Sequence, residues 1–201
     1  IGNVALKYTS RNTLNLVHYL GFDTPVAVGA RQPLVRPEVI YSGNKTHGDT
    51  GLGTVTLPDT DAKFYEKNAV ETIYEQALAC GGELELIPVG PLTNIAHAVS
   101  IYPDLKDMVK QIVFMGGAKI GGNVTTTAEF NIWADPEAAK VVFASGIPMT
   151  MVGLDVTLKA ALNRQDAEEI RAMGSKAAVF TADILDFMLT RLSKGGEDLL
   201  M

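Results

Sequence analysis

The chain has a single cysteine, Cys80, among 201 residues, so no internal disulfide can form. The framework must therefore be held by packing and hydrogen bonds, which fits a reducing compartment such as the cytoplasm. Tryptophan also occurs once, and histidine three times. No apolar run approaches the roughly 20 residues needed to cross a bilayer, so no membrane partner is expected. No stripe of lysine and arginine is present, and the net charge is −6, so a nucleic-acid partner is not expected either. The glycine pairs Gly116-Gly117 and Gly121-Gly122 match neither the G-x-G-x-x-G fingerprint nor the P-loop, so no phosphate-binding loop is read. No secretory leader is visible, and the chain does not start with methionine.

What is present is ordinary for a globular protein. Hydrophobic residues make up 47% of the chain and charged residues 20%, enough apolar material for one substantial domain over 1–201. Apolar runs alternate with amphipathic segments, the pattern of a mostly parallel, open α/β sheet flanked by helices. Residues 11–20 read as a helix closed by Gly21, 25–28 as a short strand, and 31–56 as mostly loop. A helix is expected from Asp59 to about Ala79, ended by Gly81-Gly82. Residues 84–89 read as a strand, followed by a turn into a helix at Pro91-Leu92-Thr93-Asn94. Ile112-Val113-Phe114-Met115 reads as a central strand buried on both sides. Asp135-Pro136-Glu137 is a helix start: Asp caps free N–H groups, Pro suits the first turn, and Glu favours the positive dipole end. A strand at 149–152 and helices near 165–173 and 177–192 complete the reading.

The most informative segment is Asn123-Val-Thr-Thr-Thr-Ala-Glu129-Phe-Asn131. It follows the strand at 112–115 and the double glycine 116–117. Open α/β sheets place ligands at such carboxyl ends of strands. Two amides and a carboxylate within nine positions suit a ligand covered in hydroxyl groups, with a sugar the natural candidate. By composition alone, the reading of the same three residues as caps of turns would win.

The surrounding blocks tip the balance. The segment resembles the Asn…Glu-Phe-Asn signature of the calcium-dependent, inosine-uridine-preferring nucleoside hydrolases. Ile1-Gly2-Asn3-Val4, His47-Gly48-Asp49-Thr50-Gly51-Leu52-Gly53, Val89-Gly90-Pro91-Leu92-Thr93-Asn94, Met115-Gly116-Gly117, Asp135-Pro136-Glu137-Ala138-Ala139 and Leu154-Asp155-Val156-Thr157 resemble further blocks of that family, in its order.

The resemblance implies a nucleoside hydrolase-like fold. It also implies hydrolysis of the N-glycosidic bond of ribonucleosides to ribose and free base, with a calcium-activated water, in purine and pyrimidine salvage. Asn123 and Glu129 would hold the ribose 5′ end, and Asn131 a ring hydroxyl beside the metal. Met115 would contact the ribose from below, Asn3 its 3′ side, and His47 the base. Val89 would lend its backbone carbonyl to Ca2+. The family's Asp-rich turn, with its general base, is expected upstream of Ile1, and its His-Asp pair beyond Glu197-Asp198-Leu199-Leu200-Met201. No catalytic residue is therefore expected within 1–201, and this segment alone is expected to be inactive. A homodimer or homotetramer is implied.

The competing reading is a non-catalytic nucleoside- or sugar-binding protein derived from the same fold. A phosphorylase ranks third. Asp135 reads as a helix cap, Asp155 and Asp49 as turn residues, and His18 and His97 as structural.

Overall fold

A computed structural model describes residues 2–37 and 47–194, the last three by backbone alone. Part of the expected 31–56 loop, Ile1 of the first block and the terminal 197–201 segment lie outside the described residues. The chain divides into two compact units. The first is formed by residues 1–2, 27–39 and 65–157, the second by 3–26, 40–64 and 158–201.

The first unit is built on a three-stranded parallel sheet of order β1-β2-β3, with β1 at Leu84–Leu86, β2 at Val109–Met115 and β3 at Met149–Val152. Parallel neighbours need long crossovers. Helix α3 (Thr93–Ile101) and a 3-10 turn (Pro103–Asp107) carry the first, and helices α4 (Phe130–Ala134) and α5 (Pro136–Phe143) the second. The β2–β3 register pairs Ile112 with Met149 and Met115 with Val152. The β1 ladder is shorter than the expected 84–89 strand because Pro88 has no N–H to donate. Its carbonyl still accepts from the Met115 N–H at 3.0 Å.

Ile112 and Phe114 enter a core with Ala96, Ala98, Leu105, Ala138 and Val142. Alanines at the helix faces allow close approach, and burying each aliphatic side chain contributes roughly 1.5–3 kcal/mol. Val113 and Met115, on the other face of β2, are only half-buried. The strand is thus buried on one face, not both. Helix α2 (Ala69–Ala79) starts ten residues later than expected. Asn68 accepts from the Val70 and Glu71 N–H groups while Glu71 accepts from the Asn68 N–H, a capping box that sets the boundary. The expected strand at 25–28 makes no ladder. The Val28 carbonyl instead accepts from the first residue of α2, Ala69, at 3.0 Å.

The second unit is helical. Helix α1 runs from Leu6 to Leu20 and is closed by Gly21, a full turn earlier in start than the sequence suggests. Helices α7 (Arg164–Ala172) and α8 (Lys176–Lys194) pack through Ala167, Leu185 and Leu189. Among the described residues, no helix is long and apolar enough to cross a membrane. A one-turn helix α6 (Leu154–Thr157) follows β3 in the first unit.

Candidate functional site

Strand β2 ends at Met115, and the chain must turn at once. Gly117 makes the turn at φ +72°, where a Cβ would also come within 2.8 Å of the Met151 sulfur. The loop then doubles back tightly. A Cβ on Gly122 would lie 2.2 Å from the Ala128 backbone, so only glycine fits.

The polar signature closes this loop onto α4. Asn123 Oδ1 accepts from the Phe130 N–H at 2.9 Å. The Glu129 carboxylate accepts from the Asn131 N–H at 2.9 Å and the Ile132 N–H at 3.2 Å. The first three amides of a five-residue helix are thereby all satisfied by side chains. Glu129 also accepts from the Gly117 N–H at 2.9 Å, tying the helix to the end of β2. It is 2% exposed, so this carboxylate is held by backbone dipoles in the interior. Oε1 has one donor, shared with the other oxygen, and retains acceptor capacity.

Asn131 sits in the first turn of α4, not in a loop. Its Nδ2 donates to the Met115 carbonyl at 3.0 Å, approaches the Met115 sulfur at 3.2 Å and reaches the Val89 carbonyl at 3.5 Å. Its Oδ1 accepts no hydrogen bond among the described residues. Val89, Met115, Asn123, Glu129 and Asn131 thus converge beyond the carboxyl end of the sheet. The group offers neutral oxygens and a buried anion, a surface that suits hydroxyl donors. Among the described residues no three carboxylate, histidine or cysteine side chains gather to hold a metal.

Asn3 and His47 belong to the second unit. Asn3 is exposed, just before α1. His47 is half-buried in a closed turn, its carbonyl accepting from the Gly53 N–H at 2.8 Å. Burial lowers its pKa below the usual histidine value.

Two residues read as local carry more than a local role. Asp155 does not organise its own turn; its carboxylate accepts from the Lys119 N–H at 3.2 Å and pins the segment after Gly117. Asp135 does cap α5 through the Ala138 N–H at 3.0 Å, but its other oxygen accepts from Thr93 Oγ1 at 2.6 Å and the Leu34 N–H at 2.9 Å. The only sequence signal was the Asp-Pro start; the distant donors have none.

Comparison with known proteins bears on the family and the fold. The chain is 44% identical over 94% of its length to the pyrimidine-specific ribonucleoside hydrolase RihA of Shewanella woodyi, covering 60% of that protein. It superposes on the purine-preferring ribonucleoside hydrolase of Gardnerella vaginalis with a TM-score of 0.91 at 38% identity, covering 96% of this chain and 63% of that one. For a plant nucleoside hydrolase the TM-score is 0.93 at 31% identity, over 99% of this chain and 64% of the other. The chain therefore spans less than two thirds of the length of these relatives. A model of the family described as "Inosine-uridine preferring nucleoside hydrolase" matches residues 1–198, and the chain belongs to that family.

Proposed function

We propose that the intact protein hydrolyses the N-glycosidic bond of ribonucleosides, giving ribose and a free base. The observation that carries this reading is the convergence of Asn131, Met115 and the Val89 carbonyl beyond β2, in a chain matched by the family along its length. The relatives' names divide between pyrimidine-specific and purine-preferring enzymes, so the proposal stops at the ribonucleoside.

The chemistry asks for a cradle that orients the ribose while positive charge grows on its ring. In this reading Asn131 Oδ1 accepts from a ring hydroxyl, with the Met115 thioether beneath. Asn123 and Glu129 serve first as caps, and Glu129 Oε1 keeps room for one hydroxyl of the ribose 5′ end. Asn3 and His47 are assigned to the 3′ side and the base by the family resemblance. His47, with its lowered pKa, meets a base as a neutral imidazole near pH 7.

Calcium is proposed as the cofactor. It takes six to eight oxygens, commonly including backbone carbonyls. The Val89 carbonyl fits as one neutral member of such a shell and does not make the whole. Among the described residues no group of carboxylates completes that shell. Bound there, calcium would acidify and orient a water. Residues 1–201 alone are accordingly proposed to be inactive. The two units are read as one nucleoside hydrolase-like core because the family match runs through both. A cytoplasmic homodimer or homotetramer serving nucleoside salvage completes the proposal.

The test is a ribonucleoside panel on the intact protein, with calcium and with chelator, alongside Asn131→Ala. Release of ribose and base, abolished by chelator and lowered about 100-fold or more in the variant, is expected. No hydrolysis of any ribonucleoside would overturn the reading, and ligand binding without turnover would favour the binding protein.

A further inference from the structure

Asn131 rides on a helix of only five residues, α4. Such a helix is too short to hold itself in place, because nucleation costs more than so few hydrogen bonds return. Its position must come from its ends. At the start, Glu129 ties it to Gly117 at the end of β2. At the other end stands Asp135, which is 0% exposed.

Asp135 lies four residues after Asn131, and Thr93 lies four residues after Val89. The two meet at 2.6 Å, through a hydroxyl donating to a carboxylate, and Thr93 is itself 1% exposed. Short hydrogen bonds to a buried carboxylate are among the strong ones, and low local polarity strengthens them further. The bond therefore joins the segment carrying Asn131 to the turn carrying the Val89 carbonyl, four residues along each from the place where those two groups approach at 3.5 Å. The same Asp135 oxygen accepts from Leu34, bringing the 27–37 segment to the same point.

We propose that Asp135 and Thr93 form a positioning pair that sets the Asn131 amide against the Val89 carbonyl. This rests on the ribose-binding reading of Asn131. Neither residue touches the substrate; both act through Asn131. Loss of the Thr93 hydroxyl leaves the carboxylate one donor short and lets α4 shift relative to the Val89 turn.

The experiment uses the intact protein with Thr93→Val and Thr93→Ser. The first removes the hydroxyl and the second keeps it. Two quantities are read: kcat and KM for a hydrolysed ribonucleoside, and the side-chain amide resonance of Asn131, identified by its loss in Asn131→Ala. The expected result is a kcat lowered about 10- to 100-fold in Thr93→Val, with a displaced Asn131 resonance. Both should return toward wild type in Thr93→Ser. An unmoved resonance, or an unchanged kcat in a folded Thr93→Val protein with a lower melting temperature, would overturn the proposal and leave Thr93 as a stabilising residue. Should Thr93→Val fail to fold, Thr93→Ala removes the same hydroxyl without setting a methyl against the carboxylate, and the same two outcomes decide. If the wild-type protein hydrolyses no ribonucleoside, the functional reading fails, and the resonance alone decides the positioning pair.

Discussion

The rim of the sheet and the α7–α8 hairpin both use carboxylates, in opposite ways. At the rim, Glu129 and Asp135 are buried and are held by backbone N–H groups and one hydroxyl. In the hairpin, Asp183 and Asp186 are half-exposed and are held by one cation, Arg171, at 2.6 Å each. The rim bonds join segments distant in sequence: Asp135 and Leu34 are 101 residues apart. The hairpin bonds join neighbours 12 and 15 residues apart. A buried carboxylate fed by amides fixes where backbones lie, whereas an exposed ion pair adds modest and salt-screened stability. The rim, not the hairpin, is where geometry has been bought at an energetic cost.

Asp135→Ala should break the contrast hardest. It strands the Leu34 and Ala138 N–H groups and the Thr93 hydroxyl together, so a loss of at least about 3 kcal/mol in denaturant unfolding is expected. A loss no larger than that of a surface variant would mean that water replaces the carboxylate. Glu129→Gln comes next. Its amide NH2 must face backbone donors, and the charge that strengthened those bonds is gone, so a loss of about 1–3 kcal/mol is expected. Ribonucleoside turnover in the intact protein should fall with it. Equal stability of Glu129→Gln and wild type in the same titration would place Glu129 among the hairpin-like surface acids.

A third test concerns His47. Its pKa is lowered by burial, so between the folded value and 6.5 the unfolded chain binds the extra proton. Stability should therefore fall as pH drops through that window, and be unaffected by this group above it. His47→Gln should flatten that part of the stability–pH curve. An unchanged slope would show the loop opening to solvent. The smallest effect is expected for Arg171→Ala, whose partners are half-exposed. Its shift in unfolding midpoint should be less than that of either rim variant and should shrink further in roughly 1 M salt. A shift as large as that of Asp135→Ala would erase the distinction between the two regions.

Much was legible in the sequence because its signals are short in range. The starts of α5 and α7, the closure of α1 at Gly21 and the parallel strands at β2 and β3 all follow from partners within a few residues or from apolar runs. Errors arose where a distant partner took over. Asp59, read as a helix start, instead accepts from Arg11 and Asn15. The 25–28 segment, read as a strand, gives its Val28 carbonyl to α2.

The sequence by itself determined that Asp135 would cap α5, because that cap needs only a donor three residues away, and that Asn123, Glu129 and Asn131 would follow β2 within nine positions. Only the tertiary structure decided that Asp135 also gathers Thr93 and Leu34, that Glu129 is spent on Gly117, and that Asn131 faces Val89 and Met115. A carboxylate has more lone pairs than its own turn can fill. Which distant N–H or O–H fills the remainder depends on how the crossovers bring separate segments to one end of the sheet, and no local pattern records that.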